Sequence, residues 1–191
     1  MKVLVACEFS GVVREAFKAR GHDAWSCDLL PTEIPGQHIQ GDVLEILDDG
    51  WDMMIAHPPC TYLCRNNARC LQEGKLVAYV KSLEFFSCFL HARIPKIAIE
   101  NPVLHKQALQ DVGKWSQTIQ PYQFGHDHCK RTCLWLKGLP LLKGTKFIEH
   151  TYYITPNGKK YTKGYYFTPR NWRARSRTFQ GIADAMAEQW S

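Results

Sequence analysis

Short apolar runs alternate with segments of helical period along most of this chain. Val3 to Cys7 is a Val-rich apolar run of strand length. Within residues 11–21, Val13, Ala16 and Phe17 fall at helical spacing, and Gly21 supplies a C-terminal stop. His22 to Asp28 returns to strand character. Strand, helix and strand in the first 28 residues make a βαβ unit, so the sheet is expected to be parallel. Residues 31–41, with Pro31, Pro35, Gly36 and Gly41, predict a loop, and a short helix is expected near Val43 to Leu47.

The rhythm continues downstream. Asp52 to Ala56 reads as a strand and Ile94 to Glu100 as the next. Between them the apolar positions 76, 77, 80, 83, 86, 89 and 90 predict an amphipathic helix over 71–92. Leu104 to Leu109 begins a helix, while Thr118 to Phe124 and Thr132 to Leu136 suit a final antiparallel pair. Thr155-Pro156-Asn157-Gly158 marks a hairpin turn. Phe179 to Trp190 closes the chain with a helix carrying Ile182, Ala183, Met186 and Ala187 on one face. There is no internal repeat. The expected class is α/β, with a mostly parallel sheet flanked by helices.

A chain of 191 residues accommodates one domain with at most a small appendage. No apolar run reaches the length that spans a membrane, and Met1 to Ala6 reads as a strand rather than a signal peptide. Eight cysteines in an unexported chain suggest free thiols or a metal site, and the cytoplasm as location.

A net charge of +6 hints only mildly at a polyanionic partner, but its distribution says more. Lys143, Lys146, Lys159, Lys160, Lys163, Arg170, Arg173, Arg175 and Arg177 are opposed by Glu149 alone, and Tyr152, Tyr153, Tyr161, Tyr165, Tyr166, Phe167 and Trp172 are interleaved with them. Cations for phosphates and flat rings for bases or sugars make a nucleic-acid surface, with Lys159, Lys160, Lys163, Arg173 and Arg175 as candidates. A solvated basic hairpin is the alternative. The organisation expected is a core at 1–142, a basic aromatic insertion at 143–177 and a C-terminal helix at 178–191 that packs back on the core.

Candidate chemistry gathers at strand ends. His57-Pro58-Pro59-Cys60-Thr61-Tyr62 follows the apolar run that ends at Ala56, placing a thiol on a stiff turn where open α/β sheets hold ligands. Glu100-Asn101-Pro102 ends another apolar strand; burial there is expected to raise the carboxyl pKa and suit a proton donor. Cys7-Glu8-Phe9-Ser10-Gly11 ends the first strand, and the helix start beyond Gly11 offers free N–H groups. Asp28 stands where nucleotide folds bind ribose hydroxyls, and Asp42 could take a further cofactor contact; each also suits a helix cap or turn.

Taken in order, Phe9-Ser10-Gly11, Pro59-Cys60, Glu100-Asn101-Pro102-Val103 and Gln180-Gly181-Ile182-Ala183 resemble the motifs of DNA cytosine-5 methyltransferases, in a compact, phage-type form. Phe124 to Thr132 falls where that family has a Gln-x-Arg-x-Arg segment. The resemblance implies a Rossmann-like methyltransferase fold that binds S-adenosylmethionine across Phe9, Ser10, Gly11, Asp28, Asp42 and Pro59. It implies that Cys60 adds to C6 of cytosine, that Glu100 holds N3 and the exocyclic amine, and that Lys130 or Arg131 steadies the base or a phosphate. The partner is DNA, whose cytosine must be flipped out of the stack.

The chain departs from that pattern. Val12 and Val13 replace glycines after Gly11, Pro102 replaces a valine, and Lys130-Arg131-Thr132 is a reduced arginine motif. The basic segment is short for a target-recognition domain, so long-site specificity would need a homodimer or a phage or host protein partner. Three other readings stand beside this one. The first is a catalytically silent methyltransferase fold that acts as a binding protein. The second is a zinc-dependent nucleic-acid module built on Cys60, Cys64 and Cys70 or on His126, His128, Cys129 and Cys133. The third is an enzyme acting on RNA or a free nucleotide.

Overall fold

The computed structural model describes residues 1–65, 74–169 and 171–191. Seven strands form one sheet: β1 (Lys2–Ala6), β2 (Asp23–Asp28), β3 (His38–Gln40), β4 (Met53–Ala56), β5 (Lys96–Pro102), β6 (Gln117–Ile119) and β7 (Thr132–Lys137). Their spatial order is β3-β2-β1-β4-β5-β7-β6. β1 to β5 pair in parallel, while β7 runs antiparallel to both β5 and β6. The strand order therefore reverses between β1 and β4, where open α/β sheets form their ligand crevice beyond the carboxyl ends of the strands.

Helices cover both faces because alternate strand residues point to opposite sides. Val3, Val5, Met53, Ile55 and Ala98 pack with Val13 and Phe17 of α1 (Val12–Lys18) and with Ile182, Ala183 and Met186 of α6 (Gln180–Gln189). Leu4, Ala6, Met54, Ala56, Ile97 and Ile99 pack with Phe86 and Phe89 of α2 (Leu76–Leu90) and Ala108 of α3 (Lys106–Val112). The C-terminal helix thus lies on the core beside α1, as its apolar face requires. No helix among the described residues is long and apolar enough to cross a membrane.

Several expected elements differ in detail. The loop expected at 31–41 contains β3, a three-residue edge strand too short to show a period-2 pattern. The helix expected near Val43 is a 3-10 turn, Val43–Ile46, capped by Asp42 through Leu44 N at 3.0 Å. The helix expected from Leu71 is seen from Leu76; residues 71–73 lie outside the described residues. The strand expected to reach Phe124 stops at Ile119, because Pro121 opens a 3-10 turn over Pro121–Gln123.

The basic segment folds as a small unit on the sheet edge. β8 (Tyr152–Ile154) and β9 (Lys160–Thr162) form an antiparallel hairpin, followed by α4 (Lys163–Phe167) and α5 (Trp172–Ser176). Arg177 donates to both carboxylate oxygens of Glu33, at 2.7 and 2.8 Å, and Trp172 meets Phe9 edge-on at 5.7 Å. These contacts draw the segment across the carboxyl end of the sheet. Arg170 lies outside the described residues.

Candidate active site

Strand register aligns the polar residues that follow the buried strands. Ala6 pairs with Cys27 and Ala56, and Ala56 pairs with Ile99. One residue further on, Asp28, Cys7, His57 and Glu100 therefore form a row along the carboxyl edge. The row spans the crevice where β1 and β4 diverge.

Cys60 is held just above this row. Its carbonyl accepts from Leu63 N at 3.0 Å and Cys64 N at 2.9 Å, so the chain turns sharply after Pro59. Asn101, almost fully buried at the end of β5, donates to Pro58 O at 2.8 Å and clasps the Pro-Pro turn. The next residues are tied down as well, with Arg65 N donating to Val103 O at 2.8 Å and His105 N to Leu63 O at 2.9 Å. A half-buried thiol on a turn anchored at both sides is pre-positioned, which is what a nucleophile requires.

Electrostatics join Cys60 to Glu100 and Lys130. Burial pushes the Cys60 thiol pKa up; the Cys64 thiol and the Glu100 charge raise it further, and the Lys130 ammonium lowers it. Burial is also the largest influence on Glu100 and raises it. A hydrogen bond from His57, the Lys130 and His57 charges and the Thr132 hydroxyl together outweigh burial and hold the carboxyl below its ordinary value. The expectation of a raised Glu100 pKa is thus corrected: its neighbours keep the group ionised. His57 Nδ1 lies 3.0 Å from Glu100 Oε2, with side-chain exposures of 10% and 17%. His57 is a neighbour of Glu100 to which sequence reasoning gave no role. Its signal was its place one residue beyond β4, but the register that sets it against Glu100 is a tertiary fact.

Lys130 reaches this site from the segment before β7, with its Nζ donating to Arg175 O at 3.0 Å. Arg131 is exposed and acts on Cys133 rather than on Cys60 or Glu100. The structure brings Cys60, Glu100 and Lys130 together and leaves Arg131 outside that group.

At the end of β1 the acids converge. Burial raises the Cys7 thiol pKa, and Asp28, Cys27 and Asp42 add to it, so both carboxylates lie around the end of β1. That pair of acceptors suits ribose hydroxyls and an adenine amine. Asp28 Oδ1 accepts from Leu30 N at 2.9 Å. Pro59 is exposed at the crevice, while Phe9 is buried against Trp172.

Ser10 and Gly11 are used differently from the expectation of a ligand-facing glycine turn. The buried Glu8 carboxylate accepts from Val13 N at 2.7 Å, Arg14 N at 3.2 Å and Ser10 Oγ at 3.1 Å. The first N–H groups of α1 are thereby taken by the chain itself. Gly11 has φ +77, and a Cβ there would stand 2.8 Å from Arg14 Nη2. Arg14 is fully buried and donates to Ser26 Oγ at 2.9 Å, Thr32 Oγ1 at 3.2 Å and Ile34 O at 2.5 Å. The glycine makes room for that guanidinium.

Among the described residues, no three or more His, Cys, Asp or Glu side chains are arranged to hold a metal ion. Cys70, one of the thiols of the zinc reading, lies outside them. In the second proposed cluster, His126 Nε2 accepts from Gly181 N at 2.9 Å, His128 packs between Phe179 and Tyr165, and Cys133 is buried in β7. Cys129 Sγ lies 3.1 Å from His150 Nε2, whose Nδ1 is 3.1 Å from Asp127 Oδ1. Burial and then Asp127 raise the Cys129 pKa, so this chain of contacts fastens the hairpin rather than ionising the thiol.

In the basic segment a cleft of about 640 Å³ is lined by Thr155, Asn157, Lys159, Tyr161, Tyr165, Tyr166 and Arg175. The Arg175 guanidinium sits 5.6 Å from the Tyr165 ring centre. Lys160 is on the other side, 3.8 Å over Tyr152, and Arg173 lies 5.5 Å from the Trp172 ring. Lys163 is exposed at the first turn of α4.

No protein-family profile and no curated protein matches the chain. A solved E. coli structure, provisionally described as a DNA modification methyltransferase encoded within a prophage, is similar to it. The match has a TM-score of 0.50 and 15% identity, and it covers 78% of this chain and 52% of that one. The chain thus spans about half the length of the protein it matches. At this identity the likeness concerns architecture: the seven-stranded, mostly parallel sheet flanked by helices is a methyltransferase-like fold.

Proposed function

We propose that this protein is an S-adenosylmethionine-dependent methyltransferase acting on C5 of cytosine in DNA. The observation that carries the reading is the grouping of Cys60, Glu100 and Lys130 at the ends of adjacent strands, on a methyltransferase-like fold. Cys60, once ionised, adds through Sγ to C6 of the cytosine, and the C5–C6 π pair shifts to make C5 nucleophilic. Glu100, as a carboxylate, accepts from the exocyclic amine and from an N3–H formed by uptake of a solvent proton during addition; that proton offsets charge in the ring and returns to solvent on elimination. Lys130 favours the thiolate and stands ready for a phosphate. S-adenosylmethionine, when bound between Asp28 and Asp42, supplies the methyl group that C5 accepts. The C5 proton then leaves to solvent, and the C6–S bond breaks to return the Cys60 thiolate.

The test pairs two measurements on Cys60→Ser. Methyl transfer is abolished while calorimetric binding of S-adenosylmethionine matches the wild type; full transfer by the variant refutes the covalent mechanism. A second reading, a catalytically silent binding protein, draws on Glu8 and Arg14 filling the glycine turn. No heat and no thermal shift with millimolar S-adenosylmethionine would select it.

A further inference from the structure

The edge row contains two residues to which the resemblance assigns no role, Cys7 and His57, and His57 is the one in contact with Glu100. His57 is largely buried beside Glu100, and its Nε2 is buried without a hydrogen-bond partner among the described residues. Nδ1 faces Glu100 Oε2 at 3.0 Å, and because an ionised carboxylate only accepts, Nδ1 carries a proton and donates to it.

We propose that His57 is a positioning residue, whose Nδ1–H fixes both the orientation and the ionised state of the Glu100 carboxylate offered to the base. The inference rests on the methyltransferase reading of this site and adds a determinant to it. The other groups acting on Glu100 are Lys130 and Thr132 from the segment entering β7, and Cys60 and Cys133 share its field. Lys130 supplies charge from the hairpin side, and its Nζ is anchored to Arg175 O. His57 supplies a directed donor from the neighbouring strand, a different and geometrically stricter role.

Two variants separate these roles. His57→Asn places an amide donor near the position of Nδ1, whereas His57→Phe keeps a ring and removes the donor. Loss of the donor lets burial dominate, so Glu100 titrates at higher pH. The acidic limb of kcat/KM then moves to higher pH in His57→Phe and returns towards the wild-type position in His57→Asn. At a pH within that limb, kcat/KM of His57→Phe is expected to fall roughly tenfold or more. A ring that merely filled space would lower activity at every pH without moving the limb.

The decisive readout needs no turnover. The ¹³C-carboxyl resonance of Glu100, assigned by its loss in Glu100→Gln, is titrated in wild type and both variants. A higher Glu100 pKa in His57→Phe, reversed in His57→Asn, supports the proposal; coincident titrations overturn it. If His57→Phe does not fold, the ¹⁵N shifts of wild-type His57 decide. A proton on Nδ1 is expected, and a ring protonated at Nε2 alone refutes the assignment. Absence of methyl transfer by the wild type would refute the proposed function while leaving both titrations readable.

Discussion

The Cys60 thiol lies in the field of two opposite charges, with burial and Cys64 acting on it as well. Glu100 raises its pKa and Lys130 lowers it, on top of a larger upward push from burial. The thiolate fraction at fixed pH follows these charges, which gives signed expectations. At pH 8, Lys130→Ala alkylates more slowly at Cys60 with iodoacetamide, and Glu100→Gln alkylates faster, each by roughly a few-fold. Site-resolved mass spectrometry separates Cys60 from Cys64 and Cys129. Equal rates in all three proteins would show that the charges do not reach the sulfur. Cys60 and Glu100 were legible from sequence because each ends an apolar run at a proline turn. The sign of the Glu100 shift was not, because it depends on a histidine 43 positions away in the chain.

At the scale of elements, the periodic segments formed where their apolar spacing placed them, and the discrepancies have local causes. β3 has only three residues, and Pro121 cuts β6 short. The C-terminal helix shows what spacing alone omits. Gly181 sits in its first turn, where its N–H donates to His126 and an added Cβ would collide with the Phe124 carbonyl. Helix propensity alone predicts that Gly181→Ala stabilises by up to about 1 kcal/mol. The close packing predicts destabilisation of about 1–3 kcal/mol. Urea unfolding decides between the two signs, and a raised midpoint would contradict the packing account. The same contact explains why His126 reads as a metal-ligand candidate in sequence and serves as a helix-end acceptor in the fold.

For the whole molecule, the hairpin unit is drawn over the carboxyl edge by Arg177–Glu33, Trp172–Phe9 and Lys130–Arg175. A basic, tyrosine-lined surface thereby lies beside the thiol rather than at the far end of the sheet. If it binds nucleic acid, replacing Lys159, Lys160 and Lys163 with Ala weakens DNA binding and flattens its dependence on salt. An unchanged slope of log affinity against log salt would reduce the hairpin to a solvated surface. Composition alone suggested this surface, but its adjacency to Cys60 follows from β7 running antiparallel to β5, which delivers Lys130 to the strand ends.

The central claim is that Cys60 and Glu100 carry out methyl transfer to C5 of cytosine in DNA. The direct measurement is incubation of the protein with unmethylated DNA and labelled S-adenosylmethionine, followed by nucleoside analysis. Label in 5-methylcytosine, absent with Cys60→Ser, is the predicted result. Label in N4-methylcytosine or N6-methyladenine, or no label in any nucleoside, would contradict the account.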